Sequence, residues 1–328
     1  MGRIEEAFSQ LQREGKKGFI PFITAGDPDL QSTGDLLIEL GRVGATIIEL
    51  GVPFSDPMAD GPVIQRASER ALKRGFGLAE VLETAARAKE SISTPIVLFS
   101  YYNPLLQFGL KRLASAAKAA GIDGVLVTDL IPEEAGEFAG ELRANDLDMI
   151  FLVAPTSTDA RLKLVAEHAS GFIYAVSRAG VTGTSATLST EAEKLVNRVR
   201  QFSNFPIAVG FGISNASQVA DVQHYADAAV VGSALVAEIE RLAGQPDLVA
   251  FDDVDPRWIH AAVLGTEAQR PGQPFERSAA QGLEHVGARP GAARGRGAEH
   301  VHAIVRVRLG GVRLLTVCGP EGVGEGLR

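Results

Sequence analysis

The feature that most constrains the fold of this chain is a regular alternation of short apolar runs with longer amphipathic stretches through residues 1–251. The apolar runs have the composition of strands that are buried on both faces, and the amphipathic stretches have the period of helices. Eight such strand–helix units over about 250 residues are typical of a (β/α)8 barrel, the TIM barrel. The predicted strands are Gly18–Thr24, Thr46–Gly51, Pro95–Tyr101, Gly124–Thr128, Asp148–Val153, Gly171–Val176, Pro206–Gly210 and Ala228–Gly232.

The alternative architecture is a doubly wound open sheet. A dinucleotide-binding sheet of that kind usually carries a G-x-G-x-x-G turn after its first strand, whereas this chain continues with Ala25-Gly26-Asp27-Pro28. The barrel is therefore favoured, and functional residues are expected at the carboxyl ends of its strands. The helices predicted between the strands include Leu30–Val43, Pro62–Arg74, Leu78–Glu90, Glu133–Ala144, Asp159–His168, Glu191–Phe202 and Ala216–His224.

Composition changes abruptly after residue 251. Residues 252–328 contain ten arginines, thirteen glycines and no lysine, whereas all eight lysines lie in residues 1–251. We therefore predict two parts, a barrel domain over residues 1–251 and an atypical Gly/Arg/Ala-rich extension over residues 252–328.

Charge and composition exclude several classes of protein. Residues 1–251 carry 22 basic and 31 acidic residues, which argues against a nucleic-acid surface. No apolar run approaches the roughly 18 residues of a membrane span, and the first residues lack the apolar core of a signal peptide. The single cysteine, Cys318, excludes a disulfide within the chain and a thiolate metal cluster. We expect a soluble, cytoplasmic protein.

Two carboxylates are the first candidate site residues. Glu49 interrupts the apolar run of the second predicted strand near its carboxyl end, and Asp60 lies in the loop that follows. A buried glutamate has a raised pKa unless it is paired, and a raised pKa suits a general acid or base near neutral pH. A structural glutamate paired with an arginine, or one that faces solvent, is the alternative.

Glycines at two strand ends indicate a phosphate site. Strand 7 ends in Gly210-Phe211-Gly212, and strand 8 ends in Val231-Gly232-Ser233. In TIM barrels the loops after these two strands, with a helix N-terminus, commonly bind phosphate through backbone N–H groups. The alternative is that the glycines only end strands.

The loop after strand 6, Ser177–Ser185, is small and glycine-rich and carries Arg178 and Gly180. A mobile lid over the substrate and an ordinary surface loop fit this composition equally well.

Absent residue types narrow the chemistry. No lysine lies at the carboxyl end of a predicted strand, so a Schiff base has no amine there. No histidine lies there either, which argues against a zinc or iron site and against histidine base catalysis. Asp129, after strand 4, either orients neighbouring groups or caps the following helix, and we favour the cap. The residues predict a metal-free, phosphate-binding barrel enzyme that uses carboxylates.

Three segments carry a resemblance to a known family. They are PFITAGDP at residues 21–28, ELGVPFSDPMADGPVIQ at residues 49–65 and SRAGVTG at residues 177–183. Together they closely resemble the tryptophan synthase α subunit, and the resemblance covers about residues 3–250. The second segment is long and specific.

The resemblance implies a (β/α)8 barrel that cleaves indole-3-glycerol phosphate to indole and glyceraldehyde 3-phosphate in a retro-aldol reaction. It implies that Glu49 is the acid/base and that Asp60 binds the indole N–H and stabilises positive charge on the ring. Protonation of indole C3 makes the ring an electron sink, so neither a lysine nor a metal is needed. Thr182 is also implied to contact Asp60 when the lid closes. Positions implied around the substrate are Phe22, Tyr101, Leu126, Tyr174, Thr182 and Phe211, and those implied around its phosphate are Gly183, Gly212, Gly232 and Ser233.

The resemblance also implies a partner, a pyridoxal-phosphate β subunit that receives indole through a tunnel in an α2β2 assembly. No cofactor is implied for this chain itself. The implied contacts with β come from the loops after strands 2 and 3, here Pro53 and Asp56 with Asn103 and Pro104.

The C-terminus departs from the family, which should complete one more helix and then stop. We favour out-of-frame translation of GC-rich DNA as the origin of residues 252–328, because loss of lysine with gain of arginine, glycine and alanine is what such a frame produces. A disordered natural extension is the second possibility. A small extra domain is the third, with a hairpin of Val301–Val307 and Val312–Val317.

Three functional alternatives remain beside the α-type lyase. Indole-glycerol-phosphate synthase and phosphoribosylanthranilate isomerase are phosphate-binding barrels of the same pathway, but they use lysine or cysteine at strand ends. A standalone indole-glycerol-phosphate lyase differs only in being active without a β partner. A non-catalytic regulatory subunit is disfavoured by the presence of both Glu49 and Asp60.

Overall fold

A computed structural model describes residues 2–176, 190–210 and 212–243, with the backbone of 308–309 and 312–313. The predicted barrel is confirmed, because eight parallel strands follow one another around a closed sheet in which the eighth pairs with the first. Each predicted strand is present, most of them one or two residues shorter at an end. The strands are β1 (Gly18–Thr24), β2 (Ile48–Gly51), β3 (Ile96–Ser100), β4 (Gly124–Val127), β5 (Asp148–Val153), β6 (Ile173–Val176), β7 (Ile207–Gly210) and β8 (Ala228–Val231).

Helices connect the strands on the outside of the barrel. The predicted helices are confirmed with shifted ends, and four further helices, α1, α5, α6 and α11, were not predicted. The helices are α1 (Arg3–Glu14), α2 (Leu30–Arg42), α3 (Pro62–Leu72), α4 (Leu78–Lys89), α5 (Tyr102–Phe108), α6 (Leu110–Ala119), α7 (Gly136–Ala144), α8 (Asp159–His168), α9 (Thr190–Val199), α10 (Ala216–Gln223) and α11 (Ser233–Leu242).

Successive strand residues pack alternately into two apolar cores, one inside the barrel and one between the strands and the helices. Ile48 and Leu50 of β2 belong to the outer core, so the side chain of Glu49 between them lies in the barrel interior. Phe22 of β1 and Val97 of β3 are its partners in the register. The interior core includes Ile20, Phe22, Ile47, Val97, Phe99, Leu126, Ile150, Tyr174, Ala208 and Val230.

Helix α1 closes the amino end of the barrel. Its Ile4 and Phe8 are buried in the interior core, and the ring of Phe8 lies 5.8 Å from that of Phe172. A β-carbon at Gly124 would come within 3.0 Å of Ile4, so the helix packs closely over the first residue of β4. The opposite, carboxyl end is the one left for a ligand.

The chain divides into two compact units, Met1–Pro271 and Gly272–Arg328. In the second unit, β9 (Arg308–Leu309) pairs antiparallel with β10 (Val312–Arg313) across residues 310–311. The hairpin considered as one possibility paired Val301–Val307 with Val312–Val317; β10 lies within the second of these segments, and residues 301–307 lie outside the described part of the chain. The boundary at residue 251 stays a prediction. No helix in the described part of the chain is long and apolar enough to cross a membrane.

Candidate active site

Glu49 is a buried carboxyl with no hydrogen-bond partner. Its side chain is 1 % exposed, and neither carboxyl oxygen is bonded to any described residue. Burial disfavours the charged form and raises the pKa of Glu49 from 4.5 to about 8. At neutral pH the group is therefore a neutral acid with a proton to donate.

Asp60 is the second buried carboxyl, in the loop between β2 and α3. It is 8 % exposed, and burial raises its pKa to about 6, against the lowering effect of a hydrogen bond from the Tyr101 hydroxyl. That hydroxyl also accepts a bond from the Ala59 backbone N–H at 2.9 Å, which fixes the loop beside Asp60. Asp60 is thus mostly ionised at neutral pH, while Glu49 is mostly protonated. Two carboxyls with separated pKa values can divide acid and anion roles.

Aromatic rings line the interior around these carboxyls. Phe22 packs edge-on against Phe99 with ring centroids 5.1 Å apart, and Tyr174 is buried. Burial, and then the charges of Glu49 and Asp60, raise the pKa of the Tyr174 hydroxyl, so this ring lies near both carboxyls. Leu126 also belongs to the interior core. The result is an apolar barrel interior with two carboxyls, which suits a planar aromatic ligand with one polar edge.

Gly210 makes room for Tyr174. A β-carbon at Gly210 would lie 2.0 Å from the Tyr174 hydroxyl oxygen, a distance that no side chain could occupy. The glycine at the end of β7 therefore serves ring packing, which is a different reason from the phosphate site that its sequence context suggested.

Two of the predicted phosphate residues lie at the N-terminus of α11. Gly232 is the residue before this helix and Ser233 is its first residue. A β-carbon added at Gly232 would lie 3.5 Å from the Phe22 β-carbon, so the N-terminus of α11 lies beside the aromatic side chains. Gly212 has φ +79°, a conformation that favours glycine, and open space where a side chain would project. Free backbone N–H groups at a helix N-terminus suit an anion.

Several predicted residues fall outside the described part of the chain. They are the substrate residues Thr182 and Phe211, the phosphate residue Gly183, and the lid residues Arg178 and Gly180.

A network of ion pairs that was not predicted joins α3, α11 and the loop after β1. Arg70 binds Asp27 through two bonds of 2.7 and 2.8 Å, and it also reaches Glu240 at 2.6 Å. Arg66, one helical turn before Arg70, binds Glu240 through bonds of 2.8 and 2.7 Å. The network joins α3, which follows Asp60, to α11, which begins at Ser233. It therefore fixes the position of the Asp60 loop relative to the N-terminus of α11.

Asp129 caps a helix, but not the one predicted. Its carboxylate accepts a bond of 2.7 Å from the backbone N–H of Tyr102, the first residue of α5. The prediction was wrong because the cap joins neighbouring strand ends in space, and α5 precedes Asp129 in the chain.

A surface depression lies beside the loop after β2. Met58, which lines this depression, is 81 % exposed. Leu106, on helix α5, is 49 % exposed. The predicted partner residues Pro53 and Asp56 lie in this loop, whereas Asn103 and Pro104 lie in the first turn of α5 and not in a loop. The depression, of about 420 Å³, is lined by Phe54, Ser55, Asp56, Pro57, Met58, Gln65, Glu69 and Leu72.

No group of three or more His, Cys, Asp or Glu side chains in the described residues could hold a metal ion.

Comparison with known proteins agrees with this geometry. The sequence profile of the tryptophan synthase alpha chain family matches residues 8–253. The tryptophan synthase alpha chain of Geotalea daltonii is 48 % identical over 245 residues, which cover 75 % of this chain and 93 % of that protein. That of Solibacter usitatus is 51 % identical over 243 residues, covering 74 % and 91 %.

Solved structures show the same relationship. The tryptophan synthase alpha subunit of Legionella pneumophila aligns with a TM-score of 0.73 at 34 % identity, covering 81 % of this chain and all of that one. A chain of the tryptophan synthase α2β2 complex of Pyrococcus furiosus aligns with a TM-score of 0.69 at 40 % identity, covering 76 % and 98 %. This chain belongs to the tryptophan synthase alpha chain family.

Proposed function

We propose that Glu49 and Asp60 are the catalytic carboxyls with which this chain cleaves indole-3-glycerol phosphate to indole and D-glyceraldehyde 3-phosphate. This is the α reaction of L-tryptophan biosynthesis, and the chain is a lyase. The observation that carries the assignment is the pair of buried carboxyls whose pKa values, about 8 and about 6, lie on opposite sides of neutrality.

Glu49 supplies and recovers one proton in this reaction. As a neutral acid it protonates C3 of the indole ring, which leaves a positively charged ring and a carboxylate. The carboxylate then takes the proton of the hydroxyl on the carbon bonded to C3. The carbon–carbon bond breaks, its electron pair returns to the ring, and the aldehyde of glyceraldehyde 3-phosphate forms. Glu49 ends the cycle protonated, so no external acid is consumed.

Asp60 stabilises the charged ring. A carboxylate that accepts a hydrogen bond from the indole N–H lies next to the positive charge that appears when C3 is protonated. The pKa of about 6 supports this role because Asp60 is then mostly ionised at neutral pH. The bond from Tyr101 supports it further, since it favours the charged form. A contact between Asp60 and Thr182 stays a prediction.

The apolar barrel interior supports an indole ligand with a phosphate at one end. Phe22, Tyr101, Leu126 and Tyr174 are the proposed ring contacts, with Phe211 as a prediction. Gly212, Gly232 and Ser233 are the proposed phosphate contacts, and Gly183 is predicted to join them. Closure of a lid through Arg178 and Gly180 likewise stays a prediction.

We further propose that the loop after β2 and helix α5 bind a pyridoxal-phosphate β subunit in an α2β2 assembly, and that this chain itself needs no cofactor. The exposed apolar side chains of Met58 on this loop and Leu106 on α5 support this surface, since exposed apolar patches mark partner interfaces. The Pyrococcus furiosus relative is an α2β2 complex. Pro53 and Asp56 on the loop, and Asn103 and Pro104 on α5, are the proposed contacts.

The test is release of indole from indole-3-glycerol phosphate by the purified chain, with and without a β subunit. Glu49→Gln should lower kcat by about 10³-fold, because an amide can neither donate the C3 proton nor take the hydroxyl proton. Binding of a phosphate-bearing analogue should be retained, which separates chemistry from folding. Wild-type turnover by Glu49→Gln would overturn the assignment, and turnover that needs no β subunit would identify a standalone lyase.

A further inference from the structure

Thr24 ends strand β1 on the inner face of the barrel. Its neighbours Ile23 and Ala25 both belong to the outer core, so by strand alternation its side chain projects into the interior, two residues beyond Phe22. In the register it pairs with Gly51, the residue two positions after Glu49 on β2. Thr24 therefore lies at the same end of the barrel as the candidate catalytic carboxyls.

The hydroxyl of Thr24 is buried without a partner. The residue is 3 % exposed, and its Oγ1 makes no hydrogen bond to any described residue. Buried hydroxyls are nearly always hydrogen-bonded, so each exception requires an explanation. Within the described residues four buried side-chain atoms lack a partner, namely the Thr24 Oγ1, both carboxyl oxygens of Glu49 and the Tyr225 hydroxyl. Three of these four atoms lie on adjoining strands at the carboxyl end.

The order of strands gives Thr24 a specific place along the ligand. Strand β1 pairs with β8 on one side and with β2 on the other. The proposed phosphate corner at Gly232 directly follows β8, and Glu49 lies on β2. A ligand that extends from the phosphate corner to Glu49 therefore passes the end of β1. In indole-3-glycerol phosphate that stretch is the glycerol chain, which carries two hydroxyl groups.

We propose that Thr24 is a further substrate-binding residue whose hydroxyl makes a hydrogen bond to a hydroxyl of the glycerol chain. Glu49 is not the partner in this structure, because neither of its oxygens accepts a bond. A hydroxyl can donate and accept, so one bond to a substrate hydroxyl satisfies the group. The proposal rests on the proposed role of Glu49 and assigns Thr24 to selection of a hydroxylated side chain.

The test compares Thr24→Val, which keeps the β-branched shape and loses only the hydroxyl, with the wild type. We expect kcat/KM for indole-3-glycerol phosphate to fall about 3- to 10-fold, the effect of one neutral hydrogen bond. The affinity for indole-3-propanol phosphate, which has no glycerol hydroxyls, should stay the same. Thermal stability should not fall, because the substitution removes an unpaired buried polar group. Thr24→Ser should recover most of the lost kcat/KM.

Wild-type kcat/KM in Thr24→Val would overturn the proposal. A fall in the affinity for indole-3-propanol phosphate as large as the fall in kcat/KM for indole-3-glycerol phosphate would also overturn it. If the valine variant does not fold, Thr24→Ala and Thr24→Ser differ in the hydroxyl alone, and equal kcat/KM in these two would overturn it. Failure here is distinct from failure of the proposed function. If the wild type cleaves the substrate and Glu49→Gln does not, an unaffected Thr24→Val removes only the Thr24 proposal.

Discussion

The aspartates at the amino end of the barrel and the candidate catalytic carboxyls at its carboxyl end differ in their partners. At the amino end, carboxylates just before two strands are fully paired, whereas at the carboxyl end Glu49 has no partner. Both ends belong to the same closed sheet, so the fold alone does not explain why these carboxyls differ in their partners. The difference separates residues that stabilise the barrel from residues that are available to a ligand.

The amino end repeats one arrangement. Asp123, just before β4, accepts a bond of 2.9 Å from the Ile96 N–H at the start of β3 and pairs with Lys89 at 3.3 Å. Asp227, just before β8, accepts a bond of 2.9 Å from the Ile207 N–H at the start of β7 and pairs with Arg200 at 3.0 Å. Each aspartate joins two neighbouring strands and pairs with two cations, because Arg3 also pairs with Asp123 and Lys17 with Asp227.

At the carboxyl end Asp27 is paired with Arg70, but the candidate catalytic groups have the opposite pattern. Glu49 and Thr24 are buried without partners, and Asp60 depends on the Tyr101 hydroxyl. An unpaired buried polar group lowers stability, so its presence is best explained by a ligand that completes it. The ends thus differ in what a substitution should change: stability at the amino end and activity at the carboxyl end.

Asp123→Ala should produce the largest change at the amino end. Lys89 is nearly buried and would lose its charge partner when the carboxylate is removed. We therefore expect the free energy of unfolding to fall by about 3 kcal/mol. Urea denaturation at neutral pH measures this loss. The substitution should leave kcat/KM for indole-3-glycerol phosphate unchanged, and a large loss of kcat/KM without a loss of stability would break the distinction between the ends.

Asp60→Asn should have a smaller energetic effect, confined to activity. A neutral amide can bind the indole N–H but cannot stabilise a charged ring, so we expect kcat/KM to fall about 10²-fold. The free energy of unfolding should not decrease, because the buried group becomes neutral. Steady-state indole release and urea denaturation on the same protein check both points. A variant that is active but unstable would place Asp60 with the amino-end residues.

Some features of the candidate site could be predicted from the sequence because they depend on residues that are neighbours along the chain. The burial of Glu49 could be predicted because a charged residue in an apolar strand is conspicuous, and the position of Gly232 because the order of the strands places it after strand 8. Asp60 lies close to Glu49 in sequence, within a segment specific to the family.

Residues whose role depends on distant partners were missed. Asp27, Arg70 and Glu240 come from three separate parts of the chain, and their pairing becomes visible only when α11 packs beside α3 and β1. Asp129 was assigned to the wrong helix for the same reason. Thr24 lies in the first family segment, residues 21–28, but nothing there singles out its side chain until its hydroxyl is found to be buried and unpaired.

In the native protein at neutral pH, Glu49 is buried, unpaired and protonated. Its native pKa of about 8 exceeds the ordinary 4.5, so the folded state binds this proton more tightly than the unfolded state. The resulting stabilisation is complete below the unfolded pKa and is lost as pH rises through the native pKa.

The most direct test is the free energy of unfolding of the wild type, relative to Glu49→Gln, as a function of pH. We expect this difference to decline by roughly 4 kcal/mol between about pH 5 and pH 8 and to level off at higher pH. Titrations of other groups cancel in the comparison. A difference that stays flat, or that rises with pH as it would for a paired carboxylate, would contradict the account.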